Sequence, residues 1–135
     1  MVAAILATPV KQADPAPAID QAAIGQRWQA AIVAGQWWRD PELSLASLAR
    51  LLGTNNSALS RALNEGLGVN FNEAINRLRV DAVIAALRQR ADTRSVLDIA
   101  LAEGFNSKAS FNRAFKLYTG DTPSAYRARI EQVSD

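Results

Sequence analysis

Two short segments built around an arginine occur at matching places in the two halves of the chain. Ser60-Arg-Ala-Leu63 in the first half is followed by Asn112-Arg-Ala-Phe115 in the second half, 52 residues later. An arginine guanidinium matches the O6 and N7 acceptors of guanine bidentately, and an asparagine amide pairs in a similar way with adenine. Taken alone, Arg61 is better explained as a solvated surface charge than as a base reader, but the matched repetition favours a shared role in reading base edges.

The side chains on which most enzymes depend are absent. The chain has no cysteine, which excludes a disulfide scaffold, a thiolate metal site and a cysteine nucleophile. It has no histidine either, so the commonest general base and zinc ligand are missing. Asp98 and Glu103 do not share a helical face, and we interpret them as a helix cap and a surface charge. We therefore expect no catalytic residue, no metal site and no cofactor.

Length and composition are those of one soluble globular domain. The chain has 135 residues, of which 49% are apolar and 21% are charged. Its net charge is only +2, but residues 50–129 hold twelve basic and seven acidic residues and so carry +5. The charge is therefore unevenly spread along the chain.

The matching segments belong to a longer internal repeat. Leu48-Ala-Arg-Leu-Leu-Gly53 is echoed by Ile99-Ala-Leu-Ala-Glu-Gly104, and the later register shift implies one extra residue in the second turn. Ala49, Gly53 and Leu59 supply a small residue at a helix crossing, a glycine turn and an apolar anchor. This spacing is typical of a helix-turn-helix. Many helical proteins that never bind DNA contain one such pattern, so the argument rests on its occurring twice.

Helix-capping residues recur along the chain, which predicts helices. No alternating apolar stretch is long enough for a strand, so the expected fold class is all-α. Asp40-Pro41 is expected to end the first helix, whose apolar residues recur at Ile24, Trp28 and Ile32. We interpret Trp28, Trp37 and Trp38 as core or helix-packing residues. The predicted caps are Asp20, Ser44, Asn55 or Asn56, Asn70 with Glu73, Ser95 with Asp98, Ser107, and Thr122 before Pro123.

A long helix is predicted between the two repeats, at about residues 70–89. About twenty residues would span about 30 Å, close to the roughly 34 Å between successive major grooves on one face of DNA. One chain could then place two helices one turn of DNA apart. The residues expected to face inward are Phe71, Ile75, Leu78, Ala82, and Ala85 or Ala86.

The second helix of each repeat is expected to lie in a major groove. Base-contact candidates in the first repeat are Asn56, Ser57, Ser60 and Arg61. Those in the second repeat are Lys108, Ala109, Asn112 and Arg113, with Ser110 flanking them. Phosphate-contact candidates are Arg77, Arg79, Lys116, Arg127 and Arg129.

A longer set of residues carries a family resemblance. The second half reads Ile99-Ala-Leu-Ala-Glu-Gly-Phe-Asn-Ser-Lys-Ala-Ser-Phe-Asn-Arg-Ala-Phe-Lys116, followed by Tyr118, Gly120, Pro123, Ser124 and Tyr126-Arg127. The first half supplies Leu43-Ser-Leu-Ala-Ser-Leu-Ala49, Leu52-Gly53, Leu59-Ser-Arg61, Gly68 and Asn76-Arg-Leu-Arg79. In these residues the chain, over about 36–130, resembles the DNA-binding domain of the AraC/XylS family of bacterial transcription regulators.

The resemblance implies two helix-turn-helix subdomains joined by a linker helix. It also implies base contacts by Ser57, Ser60 and Arg61, and by Ala109, Ser110, Asn112 and Arg113. Family members usually carry a sensory or dimerisation domain upstream, and Gly53-Thr-Asn-Asn56 with Asn70-Phe71 is similar to a branch whose sensory part is membrane-embedded. The absence of cysteine argues against the alkyl-transfer repair function fused to some relatives.

These observations define a working description of the chain. Residues 1–19 are expected to be a flexible linker or the edge of a fragment, and residues 20–135 the DNA-binding domain. That domain holds an extra N-terminal helix and about seven helices, with helix-turn-helix units at about 44–66 and 95–119.

We expect the isolated module to be monomeric and to bind double-stranded DNA, with RNA polymerase as a second candidate partner. The expected location is the cytoplasm, with a membrane tether if a membrane domain lies upstream. The alternative is a protein-interaction module that keeps the helical scaffold without binding DNA.

Overall fold

The computed structural model describes residues 20–89 and 91–133, and within them the predicted all-α class is confirmed. There are seven α-helices and no strand in that part of the chain. They are α1 Gln21–Gly35, α2 Leu45–Leu51, α3 Asn56–Arg61, α4 Phe71–Leu87, α5 Val96–Ala102, α6 Lys108–Thr119 and α7 Pro123–Val133. A 3-10 turn, Trp37–Arg39, follows α1, and a wide π-type stretch, Ala62–Leu67, continues α3.

The helices begin at the predicted caps. The Asn55 side chain, rather than Asn56, caps α3 by accepting a hydrogen bond from the Ala58 backbone N–H at 2.9 Å. Asn70 and Glu73 form the predicted reciprocal capping box at the start of α4, with both hydrogen bonds at 2.8 Å. These are contacts between residues three apart, so short-range sequence patterns are sufficient to predict them.

Helix α1 ends earlier than Asp40-Pro41 suggested. It stops at Gly35, and Gln36 follows in the left-handed conformation with φ 54°. The 3-10 turn then carries Trp38 into the core before the chain reaches Asp40. The proline therefore follows a separate turn and does not end α1.

The first unit (20–69) packs α1 against the end of the first helix-turn-helix. Gly25 lies so close to the π-type stretch that a Cβ there would meet Leu67 at 2.9 Å, and one on Gly66 would meet the Gln21 carbonyl at 2.2 Å. The predicted packing role of the tryptophans is confirmed, since Trp38 is buried and Trp28 and Trp37 pack against the same core. The other buried residues there are Ile32, Leu43, Leu48, Ala49, Leu59, Leu63 and Ile75.

The linker helix α4 serves two cores, whereas the sequence pattern suggested one inward face. Ile75 is buried in the first core, with Phe71, Leu78 and Ala82 packed against it, as expected. The prediction missed a second set on the opposite side. That set, buried against the second unit, is Val80, Val83 and Leu87. Of the two alanine alternatives, Ala85 is exposed and Ala86 is partly buried against the second core. The helix has 17 residues and is about 26 Å long, rather than about 30 Å.

The second unit (95–133) is built around a row of aromatic rings. Phe105, Phe111, Phe115 and Tyr126 follow one another with ring centroids 5.2, 5.6 and 5.3 Å apart, in tilted and edge-on arrangements. Such geometries stabilise aromatic pairs beyond the area that they bury. The row fixes α6 and α7 to the rest of the unit. None of the helices described in the chain is both long and apolar enough to cross a lipid bilayer.

Candidate nucleic-acid interface

Helices α3 and α6 are the second helices of the two repeats, and they are called the recognition helices here because they are expected to lie in major grooves. The first of them, α3, is anchored by the completely buried Leu59 and presents a polar face to solvent. Asn56, Ser57 and Arg61 are exposed on this face, and Ser60 is half-buried. The Arg61 guanidinium lies 3.7 Å from the Glu65 carboxylate one turn later, and both side chains are more than half exposed. Arg61, the one charged candidate for base contact on α3, is therefore paired with a carboxylate of the π-type stretch that continues this helix.

The second recognition helix, α6, has a stronger positive charge. Phe111 is its buried anchor, and the Ser107 side chain caps its start by accepting from the Ser110 N–H at 3.1 Å. Helix α6 contains no acidic residue. Its exposed residues include Lys108, Ala109, Asn112, Arg113 and Lys116, and Ser110 is half-buried.

The two recognition helices carry corresponding residues at matching positions. Arg61 corresponds to Arg113, and Ser60 corresponds to Asn112. Glu65 corresponds to Leu117, a residue that is 74% exposed. The structure thus places the base-contact candidates on two equivalent helices, all exposed except the half-buried Ser60 and Ser110, with the charge concentrated on α6.

Each candidate arginine lines a groove between its recognition helix and a helix that lies before its helix-turn-helix in the chain. Arg61 borders a cavity of about 330 Å³ together with Gln21 and Trp28 of α1. Arg113 borders a polar cavity of about 520 Å³ with Asn72 and Asn76 of α4. The asparagines on α4 are functional candidates that the sequence reasoning missed. Only the folded chain brings them beside α6, and no short-range pattern indicates this.

Two of the phosphate-contact candidates are accessible on the surface. Lys116 is exposed on α6, and the exposed Arg77 places its guanidinium carbon 5.2 Å from the centre of the Tyr118 ring. A cation over an aromatic face keeps its charge while its orientation is restricted. Both residues remain suited to backbone contact.

The other three phosphate-contact candidates bind parts of the chain itself. Arg79 donates from Nε to the Trp38 carbonyl at 2.7 Å and from Nη2 to the Asp40 carbonyl at 2.9 Å. Burial lowers the pKa of Arg79, and the charge of Asp40 acts in the opposite direction. Arg127 donates to the carbonyls of Arg94 and Asp92, and Arg129 forms an ion pair with Asp121. Sequence reasoning did not anticipate these partners, and phosphate contact by the three arginines stays a prediction.

Glu103 is the clearest correction to the sequence analysis. It was interpreted as a surface charge, but it is 6% exposed and lies at the junction of the two units. Its carboxylate accepts hydrogen bonds from Trp38 Nε1 and Arg39 Nε. Asp98 does lie at a helix start, as predicted, where its N–H donates to the Ser95 hydroxyl at 3.0 Å. Within the described residues no cluster of three or more acidic side chains is placed to hold a metal ion.

Comparison with known proteins places this geometry in a family. Residues 48–129 match the family model described as a helix-turn-helix domain. An uncharacterized HTH-type transcriptional regulator of Staphylococcus aureus is 41% identical over 94 residues, which are 70% of this chain and 12% of that protein. The chain therefore spans only a small part of such relatives. The HTH-type transcriptional activator AarP of Providencia stuartii is 36% identical over 85 residues, covering 63% of this chain and 62% of AarP.

Solved structures show the same fold. A transcriptional regulator of Chromobacterium violaceum with an AraC-type DNA-binding domain has a TM-score of 0.67 and 26% identity, covering 83% of this chain and 99% of that one. The C-terminal domain of AraT, a response regulator of Geobacillus stearothermophilus, has a TM-score of 0.66 and 26% identity, covering 78% and 84%. From its residues, its two helix-turn-helix units and these relatives, the chain belongs to the AraC-type helix-turn-helix family of DNA-binding transcription regulators.

Proposed function

We propose that this chain reads an asymmetric DNA site by inserting α3 and α6 into adjacent major grooves. The observation that carries the proposal is the repeated geometry of these helices. In each, a buried apolar anchor, Leu59 or Phe111, turns an exposed arginine outward at the equivalent position. Because the sequences of the two faces differ, the two half-sites are expected to differ.

The charge difference between the two helices supports unequal contributions to binding. Lys108, Arg113 and Lys116 give α6 three cations and no acid, while Arg61 on α3 is paired with Glu65. Positive charge near the DNA backbone supplies the sequence-independent part of the binding free energy. We propose that α6 supplies more of this sequence-independent binding than α3 does.

Helix α1 is proposed to be part of the reading unit, so the functional domain begins at about residue 20. The tight approach of Gly25 and Gly66 makes α1 a packed layer of the first unit. Residues 1–19 lie outside the described residues, and their assignment as a linker remains a prediction. RNA polymerase and an upstream sensory or membrane domain are proposed partners of the complete protein.

Selection of bound sequences from a random duplex library tests the proposal. Two unlike half-motifs about one helical turn apart are expected, since successive major grooves on one face repeat every 34–36 Å or so. A single enriched half-motif would contradict insertion of both helices.

A protein-interaction module is the second candidate function. The small Ser57 and Ala109 and the strongly exposed Leu117 favour it, because they provide few hydrogen bonds to bases. Titration with mixed genomic DNA at low salt separates the two candidates. A pure interaction module should show no binding, whereas a DNA reader should bind weakly and in a salt-dependent way.

A further inference from the structure

The buried carboxylate of Glu103 joins parts of the chain that are far apart in sequence. Its side chain is only 8% exposed. Oε1 accepts hydrogen bonds from Trp38 Nε1 at 3.1 Å and from Arg39 Nε at 3.0 Å, and Oε2 lies 3.5 Å from Arg39 Nη2. Trp38 and Arg39 belong to the turn after α1, whereas Glu103 follows α5 in the second helix-turn-helix.

The backbones of the two units also touch at this point. Gly104 has φ 107°, and a Cβ there would lie 2.1 Å from the Trp38 carbonyl oxygen. Arg79 of the linker helix donates to that same oxygen at 2.7 Å. Three separate segments therefore meet at the Trp38 peptide. One of them, at Gly104, lies directly before the turn that leads into α6.

The helix-turn-helix fold itself does not require a carboxylate at this position. In the first repeat the equivalent residue is Leu52, which packs against the first core. A buried carboxylate carries a desolvation cost that paired donors must offset. Buried polar groups of this kind can select one arrangement of packed elements over others.

We infer that Trp38, Arg39 and Glu103 form a positioning cluster that fixes the orientation of α6 relative to α3. The cluster thereby sets the spacing of half-sites that the protein accepts. This inference rests on the proposed insertion of both helices into DNA. None of the three residues is assigned a contact with a base; they act through the placement of the recognition helices.

Half-site spacing is a sensitive readout of such a cluster. Adding one base pair moves a half-site by about 3.4 Å and rotates it by about 34° around the DNA axis. A rigid pair of recognition helices cannot follow this movement without bending or twisting the DNA. A pair of recognition helices whose relative orientation is less fixed can follow the movement, so it loses less affinity for the altered duplex.

The experiment compares the wild-type chain with Glu103→Leu, Glu103→Gln and Trp38→Phe on duplexes that carry the two selected half-motifs at different spacings. For one inserted or deleted base pair we expect the wild type to lose about tenfold or more in affinity and Glu103→Leu to lose about threefold or less. Glu103→Gln keeps an acceptor for the indole and should be intermediate. Trp38→Phe removes the indole donor and keeps an aromatic but smaller side chain in the first core, and it leaves Glu103 in place, so it covers the case in which Glu103→Leu does not fold.

Glu42→Gln is the control, because Glu42 is an exposed carboxylate close to Arg39 in sequence and forms no ion pair among the described residues. It should keep the wild-type spacing profile. If the folded Trp38→Phe and Glu103 variants also keep that profile, the linker helix alone sets the spacing and the inference is wrong.

A measurement without DNA separates this inference from the proposed function. Residual dipolar couplings of the wild type should fit one alignment tensor for residues 45–67 and 96–119, and those of Glu103→Leu or Trp38→Phe should require two. If the wild type selects no DNA sequence but the variants need two tensors, the proposed function fails and the positioning role stands. One common tensor with unchanged orientation in every variant overturns the positioning role.

Discussion

The Arg61 guanidinium lies 3.7 Å from the Glu65 carboxylate on the first recognition surface, whereas the equivalent Arg113 has the apolar Leu117 one turn later. The two recognition helices carry an arginine at the same position but differ in the electrostatic potential around it. An exposed ion pair of this kind contributes little stability. Its larger effect is that the Glu65 charge reduces the net positive charge near Arg61.

Replacing Glu65 by Gln is expected to strengthen DNA binding. The change removes a negative charge beside Arg61, so affinity should rise about threefold at low salt. Filter binding or anisotropy over a salt series measures this. Glu42→Gln, which removes an exposed carboxylate of the first unit that has no ion pair among the described residues, should leave affinity nearly unchanged. An unchanged affinity for Glu65→Gln would mean that the first unit stays away from the backbone.

Replacing Arg113 by Ala should relax specificity at one position of the second half-site. Loss of a bidentate contact to guanine costs about 1–3 kcal/mol, and it does so only on sites with that base. Repeating the library selection with the variant measures this, with Arg27→Ala on α1 as the control for loss of an exposed arginine. Equal weakening on all sequences would assign Arg113 to phosphate contact.

Replacing Lys116 by Gln should weaken binding to all sequences by a similar factor. A phosphate contact releases counterions, so the slope of log K against log salt should become shallower by about 1. The comparison of selected and random duplexes across a salt series tests both parts. A slope equal to that of the wild type would remove Lys116 from the phosphate contacts.

Replacing Gly104 by Ala should destabilise the fold more than replacing Gly68 by Ala. Both glycines have positive φ, at 107° and 70°, so each substitution carries a backbone cost of about 1–2 kcal/mol. Only at Gly104 does the new Cβ also meet the Trp38 carbonyl, whereas nothing lies within 4 Å at Gly68. Overpacking should add about 1–3 kcal/mol. Chemical denaturation measures both variants, and equal losses would contradict the close approach.

Asp92 should titrate well below the usual range of an aspartate. The side-chain hydrogen bonds from Arg94, at 2.6 and 2.9 Å, hold the pKa of Asp92 at about 2 instead of 3.8. Because the folded pKa is the lower one, this contact stabilises the fold above about pH 3.8, and the stabilisation is lost as the pH falls toward 2. Carboxyl NMR shifts measure the midpoint.

Arg94→Gln should move the Asp92 midpoint back toward 3.8, while Arg27→Gln should not. A wild-type midpoint already near 3.8 would show that the Asp92–Arg94 contact does not hold in solution.

The elements that were predicted well depend on short-range contacts. Asp20, Ser44, Asn70 and Ser107 each cap a helix through a hydrogen bond to a residue three positions later. Such contacts form within one turn, so local residue types are sufficient to place them. The same locality explains why the repeated anchors Leu59 and Phe111 were recognised.

The elements that were predicted wrongly depend on partners far along the chain. Val80 and Val83 are buried because the second unit covers that side of α4, although the pattern of the helix alone suggested one inward face. Glu103 appeared to be a surface charge because its partners lie more than sixty residues earlier. The residues around Glu103 in sequence give no sign of these partners.

The sequence by itself determined the all-α class, the two helix-turn-helix units, the helix starts and the outward arginines. Their signals are periodicity and capping, which act over a few residues. Only the tertiary structure decided how the units are joined. The junction consists of a buried Trp38–Glu103 hydrogen bond and the two occupied faces of α4. Burial is a property of the whole packed chain, because it depends on which distant surfaces exclude water from a side chain.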